Sequence, residues 1–232
     1  MNTIADRMTK FIRMGFYLLF GLISSSLALR LMLSQEAPPF APWLVGGLIG
    51  ILSIAYHFFM GRERLLEKIW IPFTGALLVA FAVVQLVFAW MLRFSPIFDL
   101  GAIYDGAIQW VESGSFEKYY DYYYYFPNNL GGMAFLALIF ASVRRVGIED
   151  YFMAACVVNG IMSIMSMLLT ALICKKKIGT GAAVFALFLF VISPPFWFIA
   201  PVFYTDSLSM VFPILIYFLY LKLRECKSDG KR

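Results

Sequence analysis

One histidine and three cysteines are all that this chain offers to a zinc site or a disulfide framework. His57 stands alone in an apolar run, and Cys156, Cys174 and Cys226 are too widely spaced for a metal-ligand motif. Zinc and histidine-based catalysis are therefore poor fits, and no metal site is expected from these residues. Charge is scarce too. Charged residues make up 14% and hydrophobic residues 62%, whereas soluble domains carry about 25% and roughly 45–50%. The net charge of +5 does not point to nucleic acid, because Lys and Arg sit in short clusters between apolar runs. The first apolar run also lacks a small-residue cleavage site at its end. It reads as an uncleaved anchor, with Arg30 near its far end snorkelling or paired.

What the chain has in abundance is apolar sequence in membrane-sized blocks. About 20 apolar residues cross a hydrocarbon core. By that ruler the segments are Phe11–Leu33, Pro42–Met60, Ile69–Leu92, Pro127–Val143, Tyr151–Cys174, Gly179–Ile199 and Tyr204–Leu221. The expectation is an all-α protein: a polytopic transmembrane helical bundle of six or seven segments, forming one integral-membrane domain over 1–232.

The positive-inside rule separates two topologies. With a cytoplasmic N-terminus and seven crossings, 8 Lys and Arg lie inside against 10 outside, which is no bias. If Pro127–Val143 enters and leaves on the outer side, the split becomes 14 inside against 4 outside. The second arrangement obeys the rule and places the protein as a multi-pass cell-membrane protein with its N-terminus in the cytoplasm. It also puts residues 93–129 and the Ser193–Asp206 turn on the same outer face. Labelling of Cys174 by an impermeant thiol reagent in intact cells would contradict it. A re-entrant segment needs protein or a wet cavity around its free backbone groups.

The polar interruption Arg93–Asn129 gathers Asp99, Asp105, Glu112, Glu117 and Asp121. Within it, Gly101–Ser113 reads as an amphipathic helix with Ile103, Ala107, Trp110 and Val111 on one face. Asp105, Gln109 and Glu112 point away. Such a helix lies in the headgroup plane with its Trp as anchor, and Gly114 stops it. Tyr119, Tyr120 and Tyr122–Tyr125 form an interfacial aromatic belt or a platform for a sugar ring or prenyl chain.

Asp99, behind Ser95-Pro96, suits a helix cap or a general base at the membrane rim. Asp206 suits a dipole partner at a helix start, or a ligand for sugar hydroxyls or a metal beside Tyr204. Tyr125, Pro127, Asn128 and Asn129 mark a loop-to-helix junction whose two amides would also suit hydroxyl recognition. Arg144–Arg145 and Lys175–Lys177 are topology determinants. With Pro127–Val143 re-entrant, Arg144 and Arg145 are also free to hold a lipid phosphate.

Taken together, these residues resemble the multi-span GT-C class of glycosyltransferases. The likeness is to bacterial relatives of the protein-mannosyltransferase and lipid A aminoarabinose-transferase group. It rests on Asp99 in the first large outer loop, Tyr125 to Gly131, Asn159 in the next span, and the Tyr204-Thr205-Asp206 turn, over roughly Ser95 to Lys222. The resemblance implies transfer of a sugar from a polyprenyl-phosphate donor to a glycan or lipid acceptor on the outer face. It gives Asp99 the role of base and makes Tyr125, Asn128, Asn129, Tyr204 and Asp206 substrate-binding candidates. Arg93, Arg144 and Arg145 become phosphate partners. No cofactor is assigned, a divalent metal being compatible. Family members usually run to twice this length, so the chain compares with an N-terminal portion or shortened member. The competing expectation is a non-catalytic membrane module, such as a lipid-carrier flippase subunit or an assembly partner acting with another subunit.

Overall fold

The structure, a computed structural model, describes residues 41–229, with side chains over 47–226. The expected segment Phe11–Leu33 and Arg30 lie outside the described residues. The chain divides into two compact units, Met1–Phe58 and Phe59–Arg232. Of the first, only residues 41–58 are described, within helix α1 (Ala41–Met60).

In the second unit every regular element among the described residues is helical. The longer helices are α2 (Glu63–Met91), α3 (Phe98–Ser113), α5 (Leu130–Arg145), α6 (Tyr151–Lys177), α7 (Thr180–Ile192) and α10 (Val211–Asp229). Short helices α4 (Tyr120–Tyr125), α8 (Pro194–Trp197) and α9 (Thr205–Ser209) lie between them. Three stretches are long and apolar enough to cross a membrane: Glu63–Met91, Tyr151–Lys177 and Thr205–Cys226. A fourth candidate joins Glu117–Tyr125 to Pro127–Arg145 across a 119° bend. The structure thus carries an all-helical protein with three or four candidate spans.

Local chemistry fixes the boundaries. Asp150 caps α6 by accepting the Met153 N–H at 3.1 Å, and Lys175–Lys177 occupy the last turn, where cations oppose the helix dipole. Gly179 then turns the chain at φ 143°, a conformation open to glycine alone. Its neighbour helix α7 is capped from another element. The Glu63 carboxylate accepts the Thr180 and Gly181 N–H groups at 2.5 and 2.6 Å. The stretch expected to run over 179–199 is helical only to Ile192, because Ser193-Pro194-Pro195 cannot extend it. At about 1.5 Å per residue, 13 residues reach only about 20 Å, short of a 30 Å hydrocarbon core.

Helices α2 and α6 run antiparallel. Arg93, just beyond α2, pairs with Asp150 at the start of α6. At the other end Lys175 pairs with Glu67 and Lys176 with Glu225 of α10. Two apolar clusters fill the unit. One, around Trp70, Phe81, Met167 and Leu187, joins α2, α6 and α7 near the lysine end. The other, around Ile103, Phe140, Phe152 and Phe203, lies at the Arg93 end. Helix α5 belongs to that second cluster at both its ends. Its entry residue Asn129 bonds Tyr204, and Phe140 near its exit stacks on Tyr151 at 4.9 Å.

Candidate functional site

The Arg93 end is where the acids converge. Ser95-Pro96 stops the chain after α2, Ile97 is extended, and Phe98 enters α3 with φ 54°. A phenylalanine in the left-handed region is strained, and the strain sits beside the residue of greatest interest. Asp99 occupies the first turn of α3 and makes no capping bond, so its carboxylate is left for other partners. Tyr204 supplies one, with its hydroxyl 3.4 Å from Asp99 Oδ2. Tyr204 comes from the far end of the chain, just ahead of α9.

Asn129 organises the middle of the site. Although almost wholly buried, it is fully engaged. Its Nδ2 donates to the hydroxyls of Tyr122 at 2.6 Å and Tyr204 at 3.2 Å. Its Oδ1 accepts from Thr205 Oγ1 at 3.0 Å and Asn128 Nδ2 at 3.2 Å. The Tyr122 hydroxyl also faces Asp99. One amide thus sets two phenols against one carboxylate. Gly132 makes this possible, since a Cβ there would stand 2.7 Å from Thr205 Oγ1.

Asp99 opens into a cavity of about 500 Å³ shared with Asp105, Tyr119, Tyr122 and Phe126. Asp105 accepts the Tyr119 hydroxyl at 2.9 Å. A second cavity, of about 570 Å³, has Tyr204 in its lining. It is lined by Phe198, Ile199, Val202, Asp206 and Met210. Tyr204 thus reaches Asp99 of the acidic, hydroxyl-lined chamber and also lines an apolar slot together with Asp206. Such a pair of chambers can hold a polar ring on one side and a hydrocarbon chain on the other.

Of the residues expected from the sequence, Asp99, Asn128, Asn129 and Tyr204 come together. Asp206 is exposed in the first turn of α9, on the slot side. Tyr125 is 73% exposed and outside the cluster. The arginines go elsewhere. Arg93 forms a two-pronged pair with Asp150, at 2.8 and 2.6 Å. Burial alone would raise the Asp150 carboxyl, but the bonds from Arg93 and the Met153 N–H hold it below the ordinary carboxylate range. The same contact raises the Arg93 guanidinium. Arg144 donates to the Val111 carbonyl at 3.0 Å. Val111 lies 12 residues along α3 from Asp99, about 18 Å at 1.5 Å per residue. Arg145 is exposed at the end of α5.

The helix expected over 101–113 starts three residues earlier, at Phe98, and Gly114 ends it at φ 72°. Ile103 and Ala107 are fully buried against the protein. Trp110, the expected anchor, is half exposed and packs on Phe116. Among the described residues no three of His, Cys, Asp and Glu gather as metal ligands.

Two residues that the sequence did not mark as a pair hold the site's last wall. The chain from Ser193 to Tyr204 has little helix, so its backbone carbonyls need outside donors. Asn159, within α6, directs Nδ2 at the carbonyls of Ile199, Ala200 and Val202, at 2.6, 3.3 and 3.1 Å. Gln85, within α2, bonds the Phe196 carbonyl and accepts the Ala200 N–H at 3.0 Å. Glutamine and asparagine inside apolar helices were the available signal, because polar groups at membrane depth need partners. No family model, curated protein or solved structure matches the chain in the three comparisons made.

Proposed function

We propose that the chain is a membrane glycosyltransferase moving a sugar from a polyprenyl-phosphate donor to an acceptor hydroxyl, with Asp99 as general base. The observation that carries this reading is the convergence of Asp99, Asn129 and Tyr204, three distant segments, around one open carboxylate. The acceptor O–H gives its proton to Asp99, and its oxygen attacks the anomeric carbon. The bond from that carbon to the phosphate oxygen breaks, and polyprenyl phosphate leaves with the electron pair. One displacement inverts the anomeric centre. Tyr122 and Tyr204, held by Asn129, position substrate hydroxyls by hydrogen bonding, and the slot beside Asp206 accommodates the first isoprene units.

In this reading the Arg93 end faces outward, α5 does not cross, and the Lys175 end is cytoplasmic with the N-terminus. Support comes from the attachment of both ends of α5 to the Arg93 end of the unit. Exposed Cys226 lies beside Glu225, which pairs with Lys176. It should resist an impermeant thiol reagent in intact cells and react after permeabilisation. The reaction itself is tested with membranes holding the Asp99→Asn variant and a radiolabelled polyprenyl-phosphate sugar. Transfer should vanish while protein level stays unchanged, and retained transfer removes Asp99 from the mechanism.

The engagement of Arg93 with Asp150, and the roughly 18 Å along α3 from Asp99 to Val111, favour one alternative. A non-catalytic module, such as a lipid-carrier flippase subunit or assembly partner, has no departing phosphate to stabilise at Asp99. It would tolerate replacement of both Asp99 and Asp206.

A further inference from the structure

The other side of α3 holds a different cavity. A groove of about 630 Å³ runs between α3 and α5, walled by Trp110, Val111 and Phe116 and floored by Met133, Ala134 and Ala137. No charged or hydroxyl side chain lines it. Exposed Ala134, with Ala137 buried beneath it, leaves a furrow where larger side chains would close it, and Trp110 stands half exposed at its wall.

One end of the groove is cationic. Arg144 reaches back from the last turn of α5 to the carbonyl of Val111, itself a wall residue, and Arg145 follows it. That bond uses one of the five donors of the guanidinium. Neither arginine forms an ion pair with a carboxylate among the described residues, unlike Arg93, Lys175 and Lys176. Their distance from Asp99 separates them from the acidic chamber. An apolar furrow with Arg144 bonded to its wall, and Arg145 next to it in the helix, matches a ligand with a hydrocarbon chain and a phosphate. In a membrane protein the bilayer supplies that ligand.

We infer that the α3–α5 groove is a binding site for an anionic glycerophospholipid. One acyl chain lies in the furrow, and the headgroup phosphate is held by Arg144 and Arg145. The inference is independent of any role for Asp99. Selectivity follows from charge, since a basic side chain near an anionic headgroup favours binding by about fivefold, and two by about thirtyfold.

The test reconstitutes the full chain in vesicles of phosphatidylcholine containing a minor fraction of phosphatidylglycerol. Bromine is placed on the acyl chains of one lipid or the other. Quenching assigned to Trp110, as the difference between wild type and Trp110→Phe, should be stronger from brominated phosphatidylglycerol at equal mole fraction. The Arg144→Gln/Arg145→Gln double variant should lose that preference. So should Ala134→Phe, which fills the exposed furrow and leaves the arginines intact. Circular dichroism checks that each variant keeps its helix content. Equal quenching by the two lipids overturns the inference, and so does a preference that survives both variants.

Discussion

Asn159→Leu is the perturbation that most directly tests how the site's last wall is held. The substitution keeps the heavy-atom count and branching of asparagine, with two bulkier methyls, and removes one NH₂ group. That group has two hydrogens and three carbonyl acceptors in reach, on Ile199, Ala200 and Val202. Two bonds are therefore lost. Hydrogen bonds between membrane helices average about 0.6 kcal/mol, which sets a floor near 1 kcal/mol. Two buried carbonyls left without donors set a ceiling of about 6 kcal/mol at 1–3 kcal/mol each. One term works the other way. Asn159 Oδ1 has no partner among the described residues, and leucine removes that unsatisfied acceptor, offsetting about 1 kcal/mol at least. The expected loss is about 2–3 kcal/mol. It would be read as a shift in reversible unfolding by SDS in mixed micelles. Hydrogen exchange at amides 202–204 should quicken as well, because the wall loosens locally. An unfolding shift under about 0.5 kcal/mol with unchanged exchange would refute the reasoning, since two carbonyls left without donors predict at least about 1 kcal/mol after the offset. Gln85→Leu should act on the same segment, so the double variant should lose less than the sum of the singles.

Four further outcomes follow from the geometry. Gly132→Ala should displace Thr205 from Asn129 and lower turnover of a sugar-transfer assay more than it lowers stability; equal effects would contradict a positioning role for Thr205. Gly106→Ala would place a methyl 2.5 Å from the Tyr123 hydroxyl and break its bond to the Ala102 carbonyl, with an expected loss of about 1–3 kcal/mol in the same unfolding assay. Phe98→Gly should raise stability by about 1 kcal/mol, because the side chain is 87% exposed and the left-handed conformation costs a non-glycine residue about 1–2 kcal/mol. Asp150→Asn should destabilise by about 0.5–1 kcal/mol near pH 7, because asparagine keeps the capping oxygen but loses the charge that faces Arg93 and the N-terminus of α6. The Asp150 carboxyl is held below its ordinary value when folded, so its contribution is present above the unfolded pKa of about 3.9 and lost as pH falls through the folded value. The gap between wild type and Asp150→Asn should therefore close on acidification, and a gap that widens would invert the assignment.

Helix content was legible because it is local. Gly114 acts on its own neighbours and the helix ends there, whereas the segment expected over 179–199 ran past the stop at Ser193-Pro194-Pro195. Order along the sequence also allowed Asp99, Asn129 and Tyr204 to be singled out before their contacts were seen. The pairing of charges was not legible. Arg93 and Asp150 are 57 residues apart, and nothing near either one announces the other. The same is true of Gln85 with Ala200, at a separation of 115. Trp110 illustrates a different gap. Helical periodicity placed it on the apolar face, but periodicity does not distinguish a bilayer from a neighbouring helix, and α3 packs on α5.

The wall between Ser193 and Tyr204 has a consequence for the order of assembly. A regular helix satisfies its own backbone and can enter a bilayer unaided, whereas this stretch depends on amides from two other helices. It is also made after both of those helices. Helices α2 and α6 must therefore already be side by side, with Gln85 and Asn159 facing inward, when residues 193–204 arrive. The chamber around Asp99 then closes after them, on a scaffold whose register is already set, so a misplaced α6 would be felt first as a missing Tyr204.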